Sequence, residues 1–290
     1  MKKINPVEIF LWIFRRKEKD VVNLYDSLSN LMQIATGGDM LNFGYWDDET
    51  KNPLDAQKKM CTIFGKNALL ESNQQILDVG SGIGSPSIHW SKEYSKIKIS
   101  CININYSQLH SSIINVKKAI PENEIKNLNF VNATATKLPF DNESADRVLS
   151  LEAAQHFKPL KFFISESHRI LKNDGILALA IPVMAENQKA SIKNLGTLSF
   201  TWSSEHYSTE FVESTLKQEG FGNIDLQKIG CHVYEPLANY YIENRGTIKN
   251  KILNHYSSYI EKILFRSIKK MKEVSEKKII DYVLISCTKK

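Results

Sequence analysis

A loop with glycines at alternate positions is the part of the sequence whose residue types most clearly suggest chemistry; the glycines are Gly80, Gly82 and Gly84. The loop follows an apolar run that contains Asp78, and it precedes Ser85 and Pro86, which are typical of the first turn of a helix. This order predicts a strand, a glycine loop and a helix whose N-terminal amides can donate hydrogen bonds to a ligand.

The spacing of the loop and the acid before it narrow the class of ligand. Dinucleotide sites use G-x-G-x-x-G, whereas this loop reads G-S-G-I-G. Asp78 would repel a pyrophosphate, but it can accept hydrogen bonds from a cationic amino group. We therefore expect a zwitterionic ligand. The alternative is a loop that only tightens the turn between strand and helix.

Four segments resemble, in order and spacing, the motifs of the class I S-adenosylmethionine-dependent methyltransferases: ILDVGSGIGSP (76–86), CININYSQL (101–109), ATATKLPFDNESADRVLSLEAAQHF (133–157) and SESHRILKNDGILALAIP (165–182). The upstream segment LNFGYWDDE (41–49) is similar to the branch that methylates natural products, glycosylated polyketides, sterols and lipids. The resemblance implies S-adenosylmethionine as cofactor, S-adenosylhomocysteine as product, and a small acceptor that could be apolar or glycosylated.

The resemblance also implies which residues contact the cofactor. For the methionyl end these are Asp78, Gly80, Ser81, Gly82 and Gly84. Asn103 stands where many relatives have an acid for the ribose hydroxyls, with Ile104 beside it and Gln108 nearby; a plain loop-forming role is the alternative for Asn103. Further contacts are expected from Thr134 and Ala135, at the adenine position, and from Leu151.

His156, in the segment LEAAQHF after the fourth predicted strand, is the candidate catalytic residue. An imidazole titrates near neutral pH, which suits a general base for a hydroxyl acceptor. Related small-molecule enzymes often have one or two histidines in this loop, and Gln155 replaces the first of such a pair. The alternative is a histidine that only packs. The sequence predicts no metal site, because these loops hold no cluster of Asp and His.

Aromatic residues of the N-terminal region are the other candidates for contact with the cofactor: Tyr25, Tyr45 and Trp46. A sulfonium cation over an aromatic face gains roughly 0.5 to 2 kcal/mol. Packing in the apolar core is the alternative for each of them.

Short apolar and β-branched runs alternate with segments of helical length, which predicts an α/β fold with a mostly parallel sheet and helices on both faces. The resemblance implies a seven-stranded Rossmann-like sheet of order 3-2-1-4-5-7-6 with the last strand antiparallel. We predict an N-terminal helical cap (1–60), a cofactor-binding core (61–229), a helical lid (230–279) and the last strand (280–290). A single lid helix should carry an apolar stripe: Ile252, Leu253, Tyr256, Tyr259, Ile260, Ile263, Leu264, Ile268 and Met271.

The net charge is +6, and the excess of basic residues is concentrated near the C-terminus: residues 245–290 hold twelve Lys or Arg against four Asp or Glu. This tract could be a solvated helix face, or it could bind nucleic acid, acidic lipid or an anionic substrate. An RNA methyltransferase and a non-catalytic binding protein are the alternative functions. The segment SLEAAQ argues against the first, since an amino-methylating enzyme would carry a motif like N/D-P-P-Y there.

Four scattered cysteines indicate neither a zinc site nor a disulfide framework, so we predict a cytoplasmic protein. The apolar run VEIFLWIF (7–14) is far shorter than the about 20 residues that span a bilayer. Followed by basic residues, it could dock on the domain as a helix or lie on an anionic membrane surface. The sequence does not predict the oligomeric state.

Overall fold

The computed structural model describes residues 18–37, 40–186, 188, 190, 192–196, 198 and 207–290. The run 7–14 lies outside them. The strands are β1 (Gln75–Val79), β2 (Lys98–Asn103), β3 (Leu128–Asn132), β4 (Ala145–Leu151), β5 (Leu171–Met184), β6 (Phe221–Lys228) and β7 (Ile280–Lys289). The α-helices are α1 (Glu18–Thr36), α2 (Pro53–Asn67), α3 (Ser85–Glu93), α4 (Tyr106–Ala119), α5 (Glu122–Ile125), α6 (Leu160–Ile170), α7 (Ile192–Leu195), α8 (Thr209–Gln218), α9 (Tyr234–Glu243), α10 (Arg245–Leu253) and α11 (Ser258–Glu276).

The seven strands form one sheet in the order β3-β2-β1-β4-β5-β7-β6, which confirms the predicted order. Strands β1 to β5 pair in parallel, whereas β7 runs antiparallel to both of its neighbours. The predicted runs 97–102 and 223–229 each exceed the observed strand by one residue, whereas β5 extends well beyond the predicted run 175–181, because Leu171 pairs with Ala145 across an irregularity in the ladder.

Both faces of the sheet are covered, which explains why its central strands are apolar at consecutive positions. Leu149 belongs to the apolar cluster on one face and its neighbour Val148 to the cluster on the other. The same alternation of faces places Leu284 in the first cluster and Ile285 in the second. The carboxyl ends of the parallel strands therefore meet at one edge, held rigidly by a two-sided core.

The insertion between β6 and β7 contains three α-helices, α9 to α11. The apolar stripe predicted for a single helix is divided: Ile252 and Leu253 end α10, and the stripe resumes on α11. The length of the insertion predicts two or three helices, which the structure confirms. Only the assignment of the whole stripe to one helix was wrong, because the intervening residues 254–257 include Asn254, which follows α10, and Ser257, the N-cap of α11. Such residues favour helix ends.

The stripe packs against the N-terminal helix. Leu24 and Leu31 of α1 join Ile248 and Ile252 of α10 and Ile260 of α11 in a separate apolar cluster. The region predicted as the cap and the region predicted as the lid are therefore in direct contact. The domain boundaries themselves stay a prediction.

Candidate active site

A cleft of about 810 Å³, including its open mouth, lies at the carboxyl edge of β1, β2 and β4. Ligands of α/β proteins bind at this edge, outside the carboxyl ends of the strands. The first turns of α1 cover the cleft, with Val21, Val22 and Tyr25 in its lining. The site therefore combines a rigid sheet edge with a helix that crosses it.

The glycine loop forms the floor of the cleft. Gly80 has a φ of +84°, and a β-carbon there would collide with the Ala153 side chain. Gly82 has a φ of +55°, and a β-carbon there would meet nothing nearer than Leu41 at 4.0 Å. Gly80 is therefore required by packing, whereas Gly82 keeps open space above the loop, as a ligand requires.

Gly84 is not part of the cleft lining, in contrast to the sequence prediction. It is the N-cap of α3, and its α-carbon faces Ser112 on α4 so closely that a side chain would clash. A glycine is therefore needed at position 84 because α3 and α4 pack closely there.

Two polar side chains of the loop fit the predicted zwitterion. Asp78 is 2% exposed and accepts a hydrogen bond from the Ser87 hydroxyl at 2.5 Å. Burial raises the pKa of Asp78 to about 6, and the bond from Ser87 opposes this rise. Ser81 is 4% exposed, lines the cleft, and its hydroxyl has no hydrogen-bond partner among the described residues. A buried polar atom without a partner indicates that a ligand completes the site.

Asn103 lies on the cleft but is used mainly by the protein itself. Its amide nitrogen donates to the Gly82 carbonyl at 3.1 Å and to Gln108 Oε1 at 3.0 Å, and its oxygen accepts from the Asn105 N–H at 3.0 Å. Only acceptor capacity on that oxygen is left for a ribose hydroxyl. The loop-forming alternative thus describes an observed role, and the ribose contact stays a prediction, as it does for Ile104, which also lines the cleft.

A second, adjoining cavity follows β3. Its lining includes Ala135 and Thr136 but not Thr134. The Thr134 hydroxyl lies 3.0 Å from the Thr136 hydroxyl and also accepts from the Thr136 N–H. The predicted adenine contact of Thr134 is therefore not retained, since local hydrogen bonds hold its side chain, whereas Ala135 and Leu151 lie on the two cavities.

His156 and Tyr25 form a hydrogen-bonded pair at the wall of the cleft. The Tyr25 hydroxyl lies 2.9 Å from His156 Nε2, and the two rings meet edge to face. His156 ends the 3₁₀ turn Ala154–His156 directly after β4, while Tyr25 comes from α1. Burial, with a smaller contribution from Glu152, raises the pKa of Tyr25 well above its usual value, so it is a neutral phenol.

Two more side-chain bonds tie α1 to the sheet edge. Asp26 accepts from Asn105 Nδ2 at 2.8 Å, and Ser29 accepts from Gln108 Nε2 at 3.2 Å. The face of α1 that meets the core is therefore polar, while its other face packs into the apolar cluster with α10 and α11.

Tyr45 and Trp46 do not reach the cleft, which corrects the sequence prediction. Tyr45 stacks on His232 with ring centroids 4.7 Å apart, and the buried Trp46 lies against Tyr240. The segment turns toward the start of the insertion because the Trp46 N–H donates to the His232 carbonyl at 2.8 Å. Its contributions to the cleft are Leu41 and Asn42 instead.

Glu152 is the cleft residue that the sequence reasoning missed. It directly follows β4 with a φ of +55°, an uncommon backbone conformation for a residue other than glycine. Its carboxylate accepts from the Phe43 N–H at 2.9 and 3.1 Å and from the Tyr282 hydroxyl at 2.9 Å. Burial raises the pKa of Glu152 to about 8, against the effect of these donors. The signal was an acid at the first position after a buried strand, in the same motif as His156.

Charges and possible metal ligands are few here. Among the described residues, the cleft lining contains the acids Asp78 and Glu152 but no Lys or Arg. Within the same described part of the chain, no three His, Cys, Asp or Glu residues are arranged to hold a metal ion. None of the described helices is long and apolar enough to cross a membrane.

Comparisons with known proteins agree with this geometry. A family model described as a methyltransferase domain matches residues 77–179. Erythromycin 3''-O-methyltransferase of Saccharopolyspora erythraea is 26% identical over 276 residues, which cover 91% of this chain and 88% of the relative. The 27-O-demethylrifamycin SV methyltransferase of Amycolatopsis mediterranei is 28% identical over 155 residues, 53% of this chain and 55% of the relative. The structure of a cyclopropane synthase from Mycobacterium tuberculosis aligns with a TM-score of 0.81 at 17% identity, over 94% of this chain and 98% of that one, which shows a shared fold.

Proposed function

We propose that this chain, which is a class I S-adenosylmethionine-dependent methyltransferase, methylates a hydroxyl oxygen of a small, largely apolar acceptor such as a polyketide glycoside. The erythromycin and rifamycin enzymes are both named for transfer to an oxygen, and the former aligns over nearly the whole chain. This supports oxygen over nitrogen or carbon as the acceptor atom.

The pair of Tyr25 and His156 is the observation that carries the proposal. Methylation of a hydroxyl releases a proton, so the site needs a group that accepts it. The neutral Tyr25 phenol lies 2.9 Å from His156 Nε2, and it donates to that nitrogen in the neutral tautomer that carries its proton on Nδ1. An acceptor hydroxyl that donates to the Tyr25 oxygen can therefore pass its proton through the phenol to His156, or donate to His156 directly if Tyr25 moves aside.

The remaining cleft residues bind and orient. When bound, S-adenosylmethionine supplies a methyl group on a sulfonium, which departs as a neutral thioether. Asp78 and Ser81 would hold its amino-acid end, and the space above Gly82 would admit it. Alignment of the two reactants within such a cleft supplies several kcal/mol of the barrier, about 7 to 11 in well-oriented intramolecular models. The first turns of α1, which line the cleft, would shield the reacting atoms from water.

We expect α1 and the insertion 230–279 to determine which acceptor binds, because α1 lines the cleft on one face and packs against α10 and α11 on the other. Val21 and Val22 of α1, together with Leu41, give the cleft an apolar wall, which suits a polyketide skeleton. A sugar substituent would meet the polar groups at the sheet edge.

The basic tract is best explained as a solvated face. Arg245 pairs with the buried Glu261, and Lys270, Lys272 and Lys277 pair with acids within one helical turn. Paired charges reduce the field that nucleic acid would need. The four cysteines are free, which supports the proposed cytoplasmic location. Contact of the N-terminal run with a membrane surface is a second proposal that rests on sequence alone.

A direct experiment is to incubate the protein with methyl-labelled S-adenosylmethionine and a panel of hydroxylated macrolide glycosides, aglycones and amine analogues, and to identify products by mass spectrometry. Methyl ethers of hydroxylated acceptors are the expected products. Labelling of the amines alone would contradict the proposal.

A further inference from the structure

Glu152 has no part in the proton transfer described above, yet it is held in the cleft by groups from two distant elements. We propose that the Glu152 carboxylate is the countercharge by which the cleft distinguishes the sulfonium of S-adenosylmethionine from the neutral thioether of S-adenosylhomocysteine. This inference rests on the proposed function. It adds a role for one residue in releasing the product.

The charges of the lining support this assignment. The cofactor carries an ammonium, a carboxylate and a sulfonium, and its product lacks the last of these. Asp78, at the end of β1 beside the glycine loop, suits the ammonium that both ligands share. Glu152 is the other acid, and the described lining residues include no Lys or Arg to neutralise it. The sulfonium, which is the second cation of the ligand, can therefore pair only with the carboxylate of Glu152 among the described lining residues.

The position of Glu152 fits a group that acts between the glycine loop and the catalytic pair. The next residue, Ala153, packs directly against Gly80, and His156 follows one turn later. The φ of +55° at Glu152 turns the chain back toward the loop. Strained backbone of this kind persists where the surroundings fix it and is concentrated at functional sites.

The described residues around Glu152 give it hydrogen-bond donors but no positive charge. Phe43 and Tyr282 donate hydrogen bonds, which stabilise the ionised form while leaving acceptor capacity on both oxygens. Burial acts in the opposite direction and prevails, with a resulting pKa of about 8. The other titratable groups that face Glu152 have pKa values raised by burial, so they stay neutral: Tyr25 from α1, Cys61 from α2, Tyr234 from α9 and Tyr282 from β7.

A proton is therefore exchanged with each turnover. Near neutral pH the free enzyme holds Glu152 mostly protonated, and binding of the sulfonium favours the carboxylate, so the proton leaves to the solvent. Once the methyl group has been transferred the ligand is neutral, and Glu152 takes a proton back. The neutral product is then held less tightly than the substrate, which promotes its exchange.

The test compares the affinities of S-adenosylmethionine and S-adenosylhomocysteine by calorimetry in wild type, Glu152→Gln and Asp78→Asn, without any acceptor. Glu152→Gln should lower the affinity for S-adenosylmethionine, relative to that for S-adenosylhomocysteine, roughly tenfold. This factor is the net effect of the lost Coulomb attraction to the sulfonium, reduced by the free energy that wild type spends on ionising a buried acid. Asp78→Asn should weaken both ligands in equal proportion. An unchanged ratio in Glu152→Gln would overturn the inference but leave the proposed function intact, whereas a wild type that binds neither ligand would contradict the function itself.

Proton release provides a second readout. Titrations in buffers of different ionisation enthalpy near pH 7 should show that wild type releases more protons than Glu152→Gln on binding S-adenosylmethionine, and that the two proteins agree for S-adenosylhomocysteine. Comparing the proteins with the same ligand cancels the titration of the ligand amine. Equal release by both proteins for both ligands would overturn the proposal.

Tyr282→Phe is a second variant that tests the proposal if Glu152→Gln fails to fold. It keeps the carboxyl group but removes one donor, so the pKa of Glu152 should rise further. The ratio of affinities should then fall near neutral pH and recover above about pH 9. A ratio equal to that of wild type throughout would contradict a charge-based role.

Discussion

Replacement of His156 by Ala tests the proposed proton transfer most directly. The substitution removes the group that faces the Tyr25 hydroxyl at 2.9 Å. Loss of a general base lowers turnover about 10²- to 10⁴-fold. The cofactor contacts at the glycine loop are untouched, so the affinity for S-adenosylhomocysteine should not change.

The same change has a structural cost that can be separated from the catalytic one. The partly buried Tyr25 phenol would lose its partner His156, and an unsatisfied buried polar group costs at most about 1 to 3 kcal/mol. A change of this size lowers the melting temperature of a chain this long by only a few degrees. Turnover must therefore be measured on the folded fraction, well below the melting temperature, with labelled cofactor and a hydroxylated acceptor.

Tyr25→Phe is the matched control, because it keeps the base and removes only the phenolic oxygen. If the proton passes through the phenol, turnover should fall by similar factors in Tyr25→Phe, His156→Ala and the double variant, because the two residues act as one proton-transfer unit. The acid limb of the rate profile should disappear with His156→Ala. Near-normal turnover of folded His156→Ala would refute the base assignment and leave alignment as the main source of catalysis.

Three further predictions follow from the fold. Gly82→Val should abolish binding of both cofactor forms in calorimetry by filling the open space above the loop, whereas Gly84→Ala should mainly lower the melting temperature, because its β-carbon meets Ser112. Ile252→Ala, in the buried contact between α10 and α1, should lower the free energy of unfolding by about 2 to 5 kcal/mol. It should also change the KM for the acceptor more than the affinity for the cofactor. Equal changes in both would show that the insertion is purely structural. The ligand-free enzyme should lose stability between about pH 5 and 8 in thermal melts, because the folded-state pKa values of Asp78 and Glu152 lie above their unfolded values, and Glu152→Gln should flatten this loss.

The sheet could be predicted from the sequence because buried parallel strands leave a strong local pattern. Runs such as 175–181 (GILALAI) are apolar at consecutive positions and are bounded by turn residues, so their positions and number follow from residue types. The strand order came from the family resemblance, since hydrophobic periodicity carries no information about which strands are neighbours. The glycine loop was predictable because positive φ and close packing leave little choice of residue.

Contacts between distant segments were not predictable. Tyr25 was expected to offer its aromatic face to the cofactor, but its hydroxyl meets His156, 131 residues away. Glu152 was missed because its significance depends on a Phe43 amide and a Tyr282 hydroxyl from opposite ends of the chain. Tyr45 and Trp46 were misplaced because hydrogen bonds between Trp46 and His232, far apart in the sequence, decide which way their segment turns.

The two-sided character of α1 has a consequence for the kinetic order of the reaction. Its contacts with the core are individual polar bonds, each worth about 0.5 to 1.5 kcal/mol net, while its contacts with α10 and α11 are apolar and continuous. We therefore expect the helix to separate from the sheet edge more easily than from the insertion, which stays packed on the sheet through residues such as Tyr234, Met271 and Val274. Because this one movement uncovers the glycine loop and the acceptor wall at the same time, spent cofactor and methylated product share an exit. Steady-state kinetics should accordingly show a compulsory sequence, in which the cofactor occupies the deeper position before the acceptor enters above it.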